Sequence, residues 1–287
     1  MATTDAHTAD MEKITTTGSE AQPNGGHTNQ RTYDYHNPMQ HIHTRDGEGR
    51  LAAFGGEFQP GLYRPVENRK FANPAPLGLS AFALTTFVLS LINVGARDVT
   101  EPNVIISLAF GYGGLVQLLA GMWEMAVGNT FGATALSSYG GFWISFAILL
   151  TPGFASLSPY TEKGIDASQE PSVIGFFLAG WFIFTTILLL CTLRSTVMFF
   201  ALFFTLDLAF LMLFCHYLAT ANGAMAASKA LQKAGGVFGL LAAFIAWYNA
   251  FAGIADSSNS FFLIPVFHFP WSEKGRQARG KTARETV

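Results

Sequence analysis

The sequence predicts an all-α membrane protein whose six transmembrane helices form a narrow pore. Half of the 287 residues are hydrophobic and only 13% are charged, and the hydrophobic residues gather in long runs. The run from Phe71 to Ala96 holds 26 residues without an Asp, Glu, Lys or Arg, and a helix needs about 20 residues to cross the hydrocarbon core. A bundle of only six helices leaves little room for a wide aqueous channel, so the pore should pass only a small solute.

The first span has a sharply defined start. Asn73 suits the N-cap, because its side-chain oxygen can accept a hydrogen bond from a free backbone N–H of the first turn. Pro74 suits the first helical position, where its missing N–H costs nothing. Since a helix N-terminus also attracts anions, Asn73 and Pro74 either contact a carboxylate that enters the pore or serve as a helix cap alone.

Five further charge-poor runs complete the predicted bundle. They are Pro102–Trp123, Gly132–Thr151, Pro171–Leu193, Val197–Thr220 and Ala234–Ala255. In the last of these, Gly235 and Gly239 have the four-residue spacing that is typical of a close helix crossing.

The flanks differ in composition from these spans. Residues 1–70 are rich in Thr, Asn, Gln, His and Gly, and their apolar content is too low to offset the entropy of ordering, so a disordered N-terminal tail is predicted. Residues 51–70 of this tail are more apolar, and they either lie on the membrane or pack under the bundle. Residues 71–256 form the six-span transport domain, and residues 257–287 form a C-terminal tail.

The orientation follows from the basic residues in the short flanks. If the N-terminus is inside, nine basic residues lie on the cytoplasmic side and four lie outside. The cytoplasmic set is Arg64, Arg69, Lys70, Arg194, Lys274, Arg276, Arg279, Lys281 and Arg284. The outer set is Arg97, Lys163, Lys229 and Lys233. Both termini are therefore predicted to be cytoplasmic.

The sequence also excludes several classes of function. The spans contain no phosphate-binding glycine loop, no His-Glu-x-x-His motif and no cysteine cluster, so no enzyme, no cofactor and no metal site is predicted. Cys191 and Cys215 fall inside spans and are expected to pack as small apolar residues. The net charge of −2 offers no surface for nucleic acid. Transport is the main class that remains.

Three motifs point to a known family. Asn73–Leu79 reads Asn-Pro-Ala-Pro-Leu-Gly-Leu, Gly128–Gly132 reads Gly-Asn-Thr-Phe-Gly, and Ser138–Trp143 reads Ser-Tyr-Gly-Gly-Phe-Trp. Together they resemble the signatures of the acetate uptake transporter family of bacteria and fungi. The likeness covers roughly residues 70–256 and leaves out both flanks. The long polar tail indicates a fungal member and hence the plasma membrane.

The resemblance implies both an activity and a site. Members of the family form one pore per subunit in a homohexamer, and the implied solute is acetate or another short monocarboxylate that moves with a proton. Phe82 and Tyr139 match positions that are associated with an aromatic constriction, and Leu206 would be its aliphatic third member. The alternative for these aromatic residues is packing alone. A Tyr hydroxyl in such a ring can donate a hydrogen bond to a carboxylate.

Two carboxyl groups in or beside the spans are candidates for proton coupling. A carboxylate in hydrocarbon is costly, so Glu124 and Asp207 should face a cavity or carry a proton. Glu124 lies just before Gly128-Asn129-Thr130 and is better explained as a structural group that supports the next turn. Asp207 directly follows Leu206 and is the stronger relay candidate, although no family motif includes it.

Two other functions remain open at this stage. One is a passive channel for a small neutral solute such as urea or ammonia, since a six-span bundle with a hydrophobic ring serves either purpose. The other is a membrane sensor or scaffold protein that acts through its N-terminal tail.

Overall fold

The described part of the chain is a bundle of six long apolar helices, which confirms the predicted fold class. The computed structural model describes residues 71–256, 258–272 and 274–277. The predicted N-terminal tail, including its part 51–70, and residues 278–287 lie outside this range. The six helices are α1 (Ala75–Asn93), α2 (Asn103–Ala126), α3 (Thr130–Leu150), α4 (Gln169–Thr192), α5 (Val197–Ala221) and α6 (Met225–Ile254).

The helices alternate in direction, and this creates two distinct ends of the bundle. The Asn73 end holds the starts of α1, α3 and α5, and the Asn93 end holds the starts of α2, α4 and α6. The α6 helix packs against both α1 and α5, which brings the first and last helices together. Helix α6 begins at Met225, nine residues before the predicted Ala234, because Lys229 and Lys233 interrupt the apolar run without interrupting the helix.

Helix α2 departs from the predicted regular span. The stretch Gly111–Val116 (GYGGLV) is π-helical, which means that its hydrogen bonds close over one more residue than in an α-helix. A Cβ added at Gly114 would overlap Ala109 O of the preceding turn, and one at Gly113 would overlap the Thr85 side chain of α1, whereas one at Gly111 meets nothing within 4 Å. The apolar pattern could not show this feature, because residue type along a continuous span reports burial and not the backbone register.

The predicted close crossing at Gly235 and Gly239 is confirmed. A Cβ added at Gly235 would lie 2.7 Å from Leu213 Cγ of α5, and a Cβ at Gly239 would overlap Ser90 Oγ of α1. Because these two glycines have no side chain, the backbone of α6 can approach both neighbours closely. The close approach packs α1, α5 and α6 tightly together.

The segment after α6 is ordered against the helix ends. The Val197 amide donates to Phe267 O at 2.7 Å, the Trp271 indole donates to Leu193 O at 2.7 Å, and the Tyr248 hydroxyl donates to Pro265 O. Residues 258–272 are thus tied to the α4–α5 turn, which composition alone did not indicate.

Asp256 shapes the turn that starts this segment. Its carboxyl accepts hydrogen bonds from the Ser258 hydroxyl and from the Ser258 and Asn259 amides. These bonds hold the pKa of the Asp256 carboxyl below its usual value. They favour the ionised form, so the turn should loosen as the pH falls through the lowered pKa.

Candidate pore and solute site

A cavity of about 210 Å³ lies inside the bundle, between α1, α3, α5 and α6. It reaches from the middle of the bundle to Asn93, Thr100 and Gln232, which lie at the Asn93 end. Its wall is mostly aromatic and aliphatic and includes Phe142, Trp143, Phe146, Leu150, Leu178, Phe210 and Leu213. The cavity is therefore a largely apolar chamber in one half of the bundle.

The three residues predicted to form a constriction all line this cavity. Phe82, Tyr139 and Leu206 come from α1, α3 and α5 and are each 5% exposed or less. They lie seven to nine residues after the starts of their helices, which places them about 10–14 Å from the Asn73 end. The ring centroids of Phe82 and Tyr139 are 6.0 Å apart. Folding thus brings together at one level three residues that are far apart in the chain.

The hydroxyl of Tyr139 faces α4 and has a partner there. It lies 2.9 Å from Thr185 Oγ1, which in turn lies 2.7 Å from Trp181 O. A carbonyl oxygen can only accept, so Thr185 donates to Trp181 and Tyr139 donates to Thr185. The sequence suggested that the Tyr139 hydroxyl donates its proton to a solute carboxylate. In the structure this proton is instead donated to Thr185.

The polar groups of the wall lie on the Asn93 side of Tyr139. Thr86, Ser90 and Asn93 follow one another along α1. His216 is held by its Nδ1, which lies 2.9 Å from Ser228 Oγ and 3.0 Å from Ser228 O of α6. Two buried polar atoms of the wall, Thr86 Oγ1 and Trp143 Nε1, have no hydrogen-bond partner. Both can donate a hydrogen bond.

Apart from the His216 imidazole, the described cavity wall contains no basic or acidic side chain. None of its residues in the described part of the chain is an Asp, Glu, Lys or Arg, and no group of metal-binding side chains occurs among the described residues. A bare carboxylate would lose its hydration here without gaining a countercharge. The chamber is suited to a neutral solute that has an apolar part and a hydrogen-bonding part.

Asp207 does not reach this cavity. Its side chain is half-buried between α4 and α5, where the Thr186 hydroxyl lies 2.9 Å from Asp207 Oδ1 and 3.0 Å from Phe182 O. Although Asp207 is next to Leu206 in sequence, the 100° rotation per residue of a helix turns it to another face.

Replacing Asp207 with Asn should leave solute transport unchanged. The amide oxygen of Asn can still accept the hydrogen bond from Thr186, and the residue does not line the cavity. The measurement is solute uptake into liposomes at two imposed pH gradients. Loss of the gradient dependence in Asp207→Asn, with the protein still folded, would instead make Asp207 the coupling group.

Glu124 supports the turn between α2 and α3. Its Oε2 accepts a hydrogen bond from Asn129 Nδ2, while Asn129 Oδ1 accepts one from Gly132 N at 3.0 Å. Asn129 is thus the cap of α3, and Glu124 orients that cap. The side chain of Glu124 is 1% exposed and does not line the cavity. The geometry agrees with the structural interpretation.

Two substitutions of Glu124 should distinguish its structural role, the hydrogen bond to Asn129, from any role of its charge. Glu124→Gln keeps an oxygen for Asn129 and should preserve both stability and transport. Glu124→Ala leaves the buried Asn129 amide unpaired and should cost about 1–3 kcal/mol of unfolding free energy. Thermal unfolding in detergent measures the second effect. Equal stability of the two variants would contradict the proposed support of the cap.

The start of α1 differs by one residue from the prediction. The helix begins at Ala75, so Pro74 precedes it and does not occupy its first position. Asn73 Oδ1 nevertheless accepts a hydrogen bond from Ala75 N, a backbone amide of the first turn, at 3.1 Å, as predicted for this side chain. Asn73 Nδ2 is buried without a partner. Asn73 and Pro74 do not line the cavity, so the structure places them at the mouth of the bundle and not in the chamber.

Sequence reasoning missed two residues of the site, Thr185 and Trp143. Both matter because of which polar atoms have hydrogen-bond partners and which do not, and the sequence alone does not show this. Trp143 did carry one signal, since it is part of the Ser138–Trp143 motif and lies far from either membrane interface.

With this geometry in place, the chain can be compared with known proteins. Residues 54–271 match the GPR1/FUN34/yaaH family. The chain belongs to this family. The relationship inferred from the three motifs is thereby confirmed, and the match extends beyond residues 70–256 at both ends.

Two relatives of the chain have names that describe transport. Acetate permease A of Emericella nidulans is 68% identical over 251 residues, which cover 87% of this chain and 83% of the relative. The succinate-acetate/proton symporter SatP of Escherichia coli strain K12 is 34% identical over 202 residues, which cover 69% of this chain and 97% of the symporter.

A solved structure has the same fold. The bacterial acetate channel SatP superposes with a TM-score of 0.56 at 31% sequence identity, and the match covers 69% of this chain and 99% of the channel. The chain is thus a multi-pass membrane protein of a family that includes transporters and channels.

Proposed function

We propose that the protein carries acetate and other short monocarboxylates across the membrane through a pore within each subunit. The solute crosses as the neutral acid, so a proton moves with it. The observation that supports this mechanism is that the described cavity wall holds no Asp, Glu, Lys or Arg, so it penalises a carboxylate and accepts its protonated form. The names of the relatives support the choice of acetate and of a proton as the co-transported ion.

The constriction in this proposal is formed by Phe82, Tyr139 and Leu206. It closes the chamber on its Asn73 side, so a solute must pass these three side chains to cross the bundle. A small acid fits between an aromatic pair and a Leu, while a larger acid is excluded by contact. Thr86 and Trp143 supply free donors on the chamber side, where a carboxyl oxygen can accept from them.

The test is acetate uptake by the purified protein in liposomes, with and without an imposed pH gradient. We expect uptake above that of protein-free liposomes, which account for the acid that crosses lipid unaided, and we expect the excess to fall when the gradient is dissipated. Passage of urea or ammonia that ignores the gradient would favour the neutral-solute channel. The sensor would be favoured if the protein moves no solute and if deletion of its N-terminal tail abolishes its cellular effect.

The proposed setting is the plasma membrane, with both termini in the cytoplasm and six subunits in a ring. The basic residues of the flanks support this orientation, and the family resemblance supports the hexamer. A single cysteine at Ser168, in a chain with Cys191 and Cys215 replaced by Ser, should react with an impermeant reagent on intact cells. Reaction only after permeabilisation would reverse the orientation. The mass of the complex in mild detergent tests the ring.

A further inference from the structure

The chamber lies in the half of the bundle towards the Asn93 end, and aromatic rings lie on its other side. Every described residue of its wall lies at the level of the constriction or on its Asn93 side. On the Asn73 side of Tyr139 lie three phenylalanines that do not line the chamber: Phe131 of α3, and Phe199 and Phe203 of α5. We refer to them as the aromatic triad.

The members of the triad touch one another in all three pairs. Their ring centroids are 5.6 Å apart for Phe131 and Phe199, 5.3 Å for Phe131 and Phe203, and 5.3 Å for Phe199 and Phe203. These are the distances of tilted and edge-to-face aromatic contacts. Phe131 is 8% exposed and Phe203 is 4% exposed. The triad thus closes the space between the starts of α3 and α5.

The triad is also continuous with the constriction. The ring centroid of Phe203 is 6.4 Å from that of Tyr139, which in turn contacts Phe82. A solute that has passed Tyr139 towards the Asn73 end therefore meets Phe203 next, followed by Phe131 and Phe199 in the first turns of their helices.

The backbone that carries the triad is fixed at several points. Asn129 caps α3 just before Phe131, Thr196 Oγ1 accepts a hydrogen bond from Phe199 N at 3.2 Å, and Val197 N is bound to Phe267 O of the C-terminal segment. With the helix starts held in this way, rotation of the phenyl side chains is the smallest movement that opens a path. Such rotations are local and leave the helix backbones in place.

We propose that the aromatic triad is a second barrier in series with the constriction, a gate that is closed in this structure and limits the rate at the Asn73 end. The two barriers control different properties of transport. The constriction of Phe82, Tyr139 and Leu206 sets which acids enter, and the triad sets how often a selected acid leaves or enters at the other end. This inference rests on the proposed transport of short monocarboxylates.

The decisive variant is Phe203→Ala, and the chain offers a matched control. Phe204 is the adjacent residue on α5, but it is 45% exposed and stacks on Phe200, away from the triad. We expect Phe203→Ala to raise the initial rate of acetate uptake several-fold without admitting larger acids, because the constriction is unchanged. Phe204→Ala should leave the rate at that of the parent. Equal rates of Phe203→Ala and the parent, in a parent that transports acetate, would overturn the gate.

A second measurement does not depend on transport. Leu79 lies three residues before Phe82 on α1, so the two share a face, and Leu79 is nearer the Asn73 end. A cysteine at this position, in a chain without Cys191 and Cys215, should react slowly with a small thiol reagent in detergent. The added Phe203→Ala change should speed the reaction several-fold, and Phe204→Ala should not. Equal reaction rates in all three chains would refute the closed triad even if acetate is not the solute.

Discussion

Replacing Tyr139 with Ala is expected to let the protein accept monocarboxylates larger than acetate. Tyr139 is the largest member of the constriction, and its ring separates the chamber from Phe203. A narrowing made of side chains rejects large solutes by contact, so removal of the ring should admit them. The same change deletes a buried aromatic side chain and should lower the unfolding free energy by roughly 3–5 kcal/mol.

Competition of labelled acetate uptake by acids of increasing length measures this selectivity. Phe87→Ala is a suitable control, because Phe87 packs on Phe244 and Trp247 and does not line the chamber. It should lose stability and keep the parent's selectivity. A Tyr139→Ala protein that is destabilised and still excludes the longer acids would show that Tyr139 only packs.

Tyr139→Phe tests the hydroxyl separately. Because the hydroxyl donates to Thr185, its loss should cost about 1 kcal/mol of stability, and the selectivity and the affinity for acetate should stay close to those of the parent. This expectation differs from the one that the sequence alone supports, in which the hydroxyl binds the carboxylate. A strong loss of acetate affinity in Tyr139→Phe would restore that earlier interpretation.

Replacing Gly140 with Ala is expected to separate α2 from α3. A Cβ at this position would lie 2.6 Å from Leu118 Cβ, 2.7 Å from Leu118 N and 2.8 Å from Leu118 Cα. Backbone atoms of a packed helix cannot move aside as a flexible side chain can. We expect a loss of about 1–3 kcal/mol of unfolding free energy and reduced transport, because Gly140 adjoins Tyr139 and a shifted α3 displaces the constriction.

The neighbouring glycine provides the control for this prediction. A Cβ at Gly141 meets nothing within 4 Å, so Gly141→Ala should change the stability of the subunit by no more than about 1 kcal/mol, the helix-propensity difference between Gly and Ala. Thermal unfolding of both variants in detergent gives the comparison. Similar losses at the two positions would mean that the close contact with Leu118 does not determine the packing of α2 on α3.

Much of the architecture was accessible from the sequence because hydrocarbon imposes simple rules. A chain that crosses it must hide its backbone polar groups in helices, so charge-poor runs of about 20 residues predicted all six spans, with most boundaries within a few residues. The exception, α6, shows the limit of this signal. Lys229 and Lys233 end the apolar run, but the helix continues to Met225 at the Asn93 end, where charge is compatible with helix.

The residues proposed to form the constriction show a different limit of prediction from sequence. The motifs anchored Phe82 and Tyr139, and counting along α5 suggested Leu206, but only folding brought the three to one level of one cavity. The same holds for Asp207, which sequence placed beside Leu206 and the helix turned towards Thr186. Neighbours in the chain differ in direction by about 100°, so a list of polar residues within a span does not reveal which of them face the pore.

The sequence by itself therefore determined the class of protein, the number of spans and the family, and it singled out two residues that line the cavity, because these depend on composition and on local motifs. Tertiary structure alone decided that the described cavity wall holds no Asp, Glu, Lys or Arg, that the proton of Tyr139 is engaged by Thr185, that Glu124 orients the cap of α3, and that the rings of three phenylalanines meet near the Asn73 end. Each of these depends on which atoms of distant segments meet, and hydrogen-bond satisfaction and ring contacts arise only between such atoms.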